Sequence, residues 1–306
     1  MNILVTGGAG YIGIELVYAL ATLDSAKKIV IYDAMLRSHF NVFGGSRRIP
    51  NGKVEFLDSN LLDNSSLQKA VDSADVIFHL AAEVPNQFTS QNAHIFDQIN
   101  NWGSGILVSC IEKSESPKKI IYLSSLQVFG NGEIDLQKDL PVPNTFYGFS
   151  KLKGEGHFNR LVEENFHSVS IIRCSTVYGY SKNLRLGTGI NRLVFDANFK
   201  SKVSIHGVSE YQAPHIYLND LIAFLIQSIG DSKNGISYTP MQNVRLDELI
   251  LALNEVFENL DIIYLEQDHP ITYQRISSIP GLSESFELNT SNLSKNIKMF
   301  SESFTF

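Results

Sequence analysis

Along the N-terminal half of the chain, short apolar runs alternate with segments whose apolar residues recur every three or four positions. Ile3, Leu4 and Val5 form a near-continuous run and predict a buried strand over 1–6. From Tyr11 the segment YIGIELVYALAT has helical spacing. Further strands are expected at KIVIYD, KVEFLD, ADVIFHLAA, KKIIYLSS and SVSIIRCSTVYG. Helices are expected from about Ser65, with Asn64 as N-cap, then over 92–113 and 147–165. A loop with a short helix is expected over 34–51. This alternation predicts an α/β protein whose parallel sheet is covered on both faces.

Beyond Gly179 the alternation loosens. Helices are expected near 190–198, 220–229 and 246–257, with a strand at VSIHG and an irregular polar tail after Ile263. Ligands of such sheets bind beyond the carboxyl ends of the strands, so the C-terminal part is expected to close over that edge.

Composition narrows the function classes. The 306 residues suffice for one large α/β domain and a smaller appendage. A net charge of −7 without a basic cluster argues against nucleic acid. No apolar run approaches the roughly 20 residues that cross a bilayer, and no leader pattern opens the sequence, so a cytoplasmic protein is expected. Cys110 and Cys174 give no disulfide framework, and the eight histidines show no metal-ligand spacing. No metal is expected.

The first apolar strand ends in TGGAGYIG. A strand that ends in glycines and opens a helix gathers backbone N–H groups and the positive helix terminus at one point, which favours a pyrophosphate. Gly8, Gly10 and Gly13 fit G-x-G-x-x-G, while Gly7, Gly10 and Gly13 fit G-x-x-G-x-x-G. In the second register Gly7 permits the tight turn, Gly10 the approach of phosphate, and Gly13 close helix–strand packing. Asp33, at the end of the second strand, can accept from both hydroxyls of an adenosine ribose and would repel a 2′-phosphate. NAD is therefore expected rather than NADP; Arg37 is the one feature that keeps NADP open.

A second constellation lies near the middle of the chain. Tyr147 and Lys151 are four apart at a helix start and share a face. A phenol is a poor base at neutral pH, but an ammonium one turn away stabilises its anion. Ser124 and Ser125 end the fifth strand, where a hydroxyl can hold a substrate oxygen beside the tyrosine. Taken alone the Tyr–Lys pair reads as a solvated helix face. With the serines and the glycine loop at one sheet edge, it points to alcohol–ketone chemistry with hydride transfer to NAD.

The set TGGAGYIG, Asp33, Asp58, HLAA, SSLQVFG, YGFSK and RCSTVYG resembles the extended short-chain dehydrogenase/reductase family, particularly its sugar-nucleotide epimerases and dehydratases. The match is close over about 1–180 and loose beyond. The resemblance implies a Rossmann-type doubly wound parallel sheet with a smaller C-terminal substrate-binding domain. The NAD-binding domain would span 1–175 and about 203–236, the smaller one 176–202 and 237–306. It places Gly7, Gly10, Tyr11 and Ile12 on the pyrophosphate, Asp33 on the ribose and Asp58 on the adenine. Leu80, Ala81, Ala82 and Asn100 would border the cofactor, and Ser125, Tyr147 and Lys151 would be catalytic, the last two also touching NAD. It further implies a homodimer formed through the helices near 92–113 and 147–165.

The reaction can be narrowed. Family dehydratases carry an aspartate and a glutamate after the catalytic hydroxyl; here Leu126 and Gln127 stand there, and neither transfers a proton. The related decarboxylases also carry a glutamate in this stretch, which Gln127 does not supply. Hydride chemistry alone survives, and a 4-epimerase of a nucleotide sugar is the favoured reading. The alternatives are a net dehydrogenase or 4-keto-sugar reductase, and a non-catalytic NAD-binding regulator. The family's diphosphate arginine is replaced by Ala213, a second has only Arg275 as counterpart, and the strand-six asparagine by Thr176. Arg185, Arg192 or His215 would take over the anion. The substrate candidates are thus Glu83, Ser125, Thr176, Asn191, Arg192 and His215.

Overall fold

The computed structural model describes residues 1–36, 52–85, 92–206, 211–265, 273–278 and 293–304. In chain order the elements begin β1 (Asn2–Thr6), α1 (Tyr11–Ala21), β2 (Lys28–Asp33), β3 (Val54–Asp58), α2 (Asn64–Asp72), β4 (Val76–His79), α3 (Ala93–Phe96), α4 (Gly103–Glu112), β5 (Lys119–Ser125) and β6 (Gly132–Asp135). They continue with α5 (Phe146–Glu164), β7 (Ser168–Cys174), β8 (Thr176–Tyr178), α6 (Gly189–Lys200), β9 (Lys202–His206), β10 (Gln212–Tyr217) and α7 (Leu218–Gln227). The last are β11 (Gly235–Tyr238), β12 (Gln242–Arg245), α8 (Leu246–Val256), β13 (Asp261–Leu265), β14 (Gln274–Ser278) and α9 (Leu293–Glu302).

Seven strands form one sheet in the order β11-β7-β5-β4-β1-β2-β3, and every neighbouring pair is parallel. Alternation sorts the strand residues between two apolar layers. Ile3, Val5, Ile31, Phe78 and Ile121 pack with residues of α1 and α7. Leu4, Ile77, Ile120, Tyr122 and Ile171 pack with residues of α2, α4 and α5. Each such fully buried aliphatic side chain contributes about 1.5–3 kcal/mol. Strand order reverses between β1 and β4, so their carboxyl ends leave a crevice, the ligand position of open α/β sheets.

The expected helices and strands of the N-terminal half are present, with local differences. Asp63, not Asn64, caps α2: its Oδ1 accepts from the Ser66 N–H at 3.1 Å. The helix expected over 92–113 carries a π-helical segment, Asp97–Trp102, between α3 and α4. The expected sixth strand breaks at Ser175, where the Ser175 N–H donates to Thr239 Oγ1 at 3.2 Å. Its second part, β8, leaves the large sheet and pairs with β10, which pairs antiparallel with β12. VSIHG forms β9, which pairs with β13. The tail is more regular than its composition suggests: β14 pairs with β6, and α9 buries Leu293, Ile297 and Phe300. The short helix expected within 34–51, and Arg37, lie almost wholly or wholly outside the described residues.

Candidate active site

The glycine loop occupies the crevice. Gly7 has φ +71°, a conformation open to glycine, and a Cβ there would lie 2.6 Å from the Ala81 nitrogen. Its N–H donates to the Tyr32 carbonyl at 2.9 Å, and its own carbonyl accepts from the Gly10 N–H at 3.0 Å. Gly10 precedes α1 and no side chain caps the helix, so the first amides lack intrahelical acceptors. Among the described residues, apart from its chain neighbours, the Gly7 carbonyl oxygen is the only atom within 4 Å of a Cβ placed at Gly10.

Beside this loop lies a cleft of ≈ 340 Å³. Its walls include Gly7, Gly10, Tyr11, Ile12, Asp33, Leu80, Ala81, Ala82 and Glu83. Asp33 accepts from the Ala9 N–H at 3.1 Å and the Met35 N–H at 2.9 Å, one on each carboxylate oxygen. Each oxygen keeps a second lone pair for a ribose hydroxyl. Asp58 stands opposite Asp33 in register but is exposed, and Ser59, Asn60, Leu61 and Leu62 form the wall at that end. A helix start without a side-chain cap, the Asp33 acceptor and the cleft that joins them fit a dinucleotide.

The second constellation sits at the carboxyl end of β5. Thr145 caps α5, its Oγ1 accepting from the Gly148 N–H at 3.0 Å, which starts the helix just ahead of Tyr147. Burial pushes the Tyr147 phenol above its ordinary range, while Arg185 and a hydrogen bond with Ser125 favour the anion. The Phe96 ring packs edge-on against Tyr147, at 6.1 Å between centroids. Lys151 is buried; its Nζ donates to the Leu123 carbonyl at 2.7 Å and lies 4.2 Å from the centre of the Tyr122 ring. Burial brings its ammonium down to about 7, opposed by Glu155. Burial thus drives both groups toward their neutral forms, while added positive charge nearby favours the phenolate.

Other sequence candidates occupy different positions. The Asn100 amide brackets the cleft residue Glu83: its Oδ1 accepts from the Glu83 N–H at 2.8 Å, and its Nδ2 donates to the Glu83 carbonyl and to Ser150 Oγ, each at 2.9 Å. Asn191 is fully buried and joins three segments, accepting from the Gly179 N–H and donating to Tyr11 Oη and the Arg185 carbonyl. Thr188, not Asn191, occupies the N-cap of α6. His215 is buried, donates from Nδ1 to the Ala213 carbonyl at 2.8 Å, and is driven by burial to about 4, which favours its neutral form. Arg192 is outside, paired with Asp196 at 2.7 Å, and Arg275 pairs with Glu133 at 3.0 Å on the surface. Thr176 opens β8 opposite His215.

Two further residues stand in the cleft wall: Arg185, one of the anion candidates, and Asn183, which has no sequence signal. Arg185 donates from Nη2 to the Pro85 carbonyl at 2.7 Å, and Asn183 donates from Nδ2 to the Ala9 carbonyl at 2.5 Å. Both belong to the loop between β8 and α6, which the fold brings back across α1. Among the described residues no cluster of His, Cys, Asp or Glu is arranged to hold a metal, and no helix is long and apolar enough to cross a membrane.

Comparison with known proteins places this geometry. A family described as the NAD dependent epimerase/dehydratase family matches residues 3–241. The chain is 28% identical over 247 residues to dTDP-D-glucose 4,6-dehydratase of Dictyostelium discoideum, covering 72% of this chain and 54% of that protein. It spans about half the length of the curated relatives it matches first. Its fold is that of the UDP-N-acetylglucosamine 4-epimerase of Methanobrevibacter ruminantium (TM-score 0.85, 21% identity, 98% of this chain and 97% of that one). The UDP-glucuronic acid 4-epimerase of Bacillus cereus, solved with UDP-glucuronic acid and NAD, is similar too (TM-score 0.82, 23% identity, 99% and 98%).

Proposed function

The chain belongs to the NAD dependent epimerase/dehydratase family, and from that premise we propose that it epimerises a nucleotide-activated sugar at C4. The observation that carries this reading is the Ser125–Tyr147–Lys151 group at the sheet edge, followed by two residues that transfer no proton. Leu126 is buried in an apolar cluster, and Gln127 is an amide. The site therefore manages one hydroxyl proton and lacks, at these two positions, the acid and base that water elimination uses.

Bound NAD supplies a reversible hydride acceptor and a positive charge. The chain's own residues handle the proton. Tyr147, as phenolate, takes the proton of the C4 hydroxyl and returns it; Ser125 orients the same oxygen; Lys151 holds the compensating charge. Gly7, Gly10, Tyr11 and Ile12 would hold the pyrophosphate and Asp33 the ribose. The residues after β8 would carry the sugar nucleotide, with Arg185 as the diphosphate contact. Trp102, Phe146 and Phe149 are half-exposed or more, and we assign to their helices the contact of a homodimer.

The test is incubation of the purified protein with a panel of nucleotide sugars, read by mass, stereochemistry and absorbance. A product of unchanged mass and inverted C4, without net NADH, is expected. Loss of two hydrogens with stoichiometric NADH would make the protein a dehydrogenase; retained NAD with no turnover would make it a regulator.

Cofactor choice gives a separate prediction. A 2′-phosphate would meet the Asp33 carboxylate, which two backbone amides fix in place. NAD should bind more tightly than NADP by at least about tenfold, about 1.4 kcal/mol, and Asp33→Asn should narrow the gap. Calorimetric titration of both cofactors checks this, and equal affinities in the unaltered protein would refute it.

A further inference from the structure

Beneath the reacting end lies a buried ion pair that the proton chemistry above does not use. Glu155, one turn beyond Lys151 on α5, is 1% exposed, and Arg173 of β7 is 5% exposed. Arg173 Nη2 donates to Glu155 Oε2 at 2.8 Å and Nε to Oε1 at 3.1 Å. Ser124 Oγ donates to the same Oε1 at 2.5 Å. Ser124 and Arg173 are register partners across β5 and β7, directly before Ser125 and Cys174. The carboxylate thus ties both strand ends to α5, beside the point where Lys151 donates to the Leu123 carbonyl.

We propose that Glu155 is a positioning residue of the reaction centre, whose carboxylate keeps Lys151 charged and holds α5 on β5 so that Tyr147 meets Ser125. This rests on the reading of Tyr147 and Lys151 as the proton-handling pair. The groups acting on the ammonium come from three strands and from its own helix. They are His79 from β4, Tyr122 from β5, Cys174 from β7 and Glu155 from its own helix, on which Tyr147 lies one turn before the lysine. Burial keeps His79 neutral and holds Tyr122 and Cys174 protonated. Glu155 is the one carboxylate among them, and it favours the ammonium. Arg173 fixes the orientation of this carboxylate through two of its nitrogens.

The test follows Lys151 itself. In NAD-loaded protein labelled with 13C-lysine, the Lys151 side-chain resonance is identified by its loss in Lys151→Met and titrated with pH. In Glu155→Gln the midpoint should move to lower pH, with the ionisation constant raised about tenfold or more, and Glu155→Asp should restore most of it. Because Glu155→Gln leaves Arg173 uncompensated in the core, Glu155→Gln/Arg173→Met is measured as well; it removes both charges and keeps the fold closer to neutral cost. A downward midpoint in the folded double variant supports the proposal. An unchanged midpoint there overturns it and leaves Glu155 a purely structural partner. For any nucleotide sugar that is turned over, the alkaline limb of kcat should fall at lower pH in step. If no sugar is turned over, the proposed activity fails while the Lys151 titration still decides the role of Glu155.

Discussion

Tyr147→Phe should lower kcat by about 10²- to 10⁴-fold, the range for removal of a positioned general base, with NAD affinity within about twofold of the unaltered protein. The substitution deletes one oxygen and keeps the ring. That ring is half-buried and packs edge-on with Phe96, so packing is retained. The Tyr147 backbone is held independently, since Ser150 Oγ donates to its carbonyl at 2.8 Å and Asn100 in turn donates to Ser150. Ser125 keeps its bond from the Gln127 N–H at 3.2 Å. Loss of the hydroxyl therefore removes the proton acceptor without moving what surrounds it. The measurement is turnover on the sugar found by the panel, with NAD content and melting temperature alongside. A variant within fivefold of full activity would remove Tyr147 from the proton path.

The parts of this site that the sequence discloses are those where local pattern and chemistry coincide. The glycine loop, Asp33, and the Ser125–Tyr147–Lys151 group each sit at the end of a strand or the start of a helix. Short-range spacing states their geometry before any tertiary contact is known. What stays hidden depends on partners distant in the chain. β11 gains its identity by pairing with β7, and GISY alone is too short to declare it. β8 continues the apolar run of β7 without a break, so its transfer to a second sheet is invisible until Thr239 reaches Ser175. Asn100 and Asn191 are ligand candidates as polar residues in the right segments; that their amides also satisfy buried backbone groups is visible only in the fold.

Two other features were present in the sequence but masked by composition. Leu293, Ile297 and Phe300 have the spacing of one helix face, within a tail otherwise dominated by serine, lysine and asparagine. Lys151, Glu155 and Phe158 share a face of α5 and all three are buried. A charged residue repeating on an apolar stripe is the signal of a buried pair, but its partner, Arg173, can be named only from the fold. The same dependence governs the anion contact. The candidates were chemically equal in the sequence, and burial removes His215 while surface pairing occupies Arg192 and Arg275. Arg185 lines the cleft wall, where it donates to the Pro85 carbonyl.

Gly13→Ala should abolish NAD binding at millimolar cofactor and lower stability by about 1–3 kcal/mol, the usual penalty of overpacking. A Cβ at Gly13 would fall well inside van der Waals distance of the Gly7 carbonyl oxygen, and 2.7 Å from the Gly8 Cα. Both obstacles are backbone, so nothing can swing aside. The loop cannot retreat either, because Gly7 already lies against the Ala81 backbone on its other side. Either α1 or the loop must shift, and each carries amides that face the pyrophosphate. The neighbouring glycines set a scale and decide between the two spacings legible in the sequence. Gly7→Ala should be comparably damaging: it combines the Ala81 clash with a left-handed conformation that costs about 1–2 kcal/mol in an L-residue. Gly8→Ala should be milder, because its Cβ would meet the end of the Ile31 side chain and the Val5 carbonyl at 3.0 Å, without a left-handed φ. Cofactor titration and thermal unfolding of the three variants test the order. If Gly8→Ala proved as damaging as Gly13→Ala and Gly7→Ala proved harmless, the G-x-G-x-x-G register would be the working one. The expected order instead assigns the turn to Gly7, and with it the close contact between the ends of β1 and β4 on which the cleft is built.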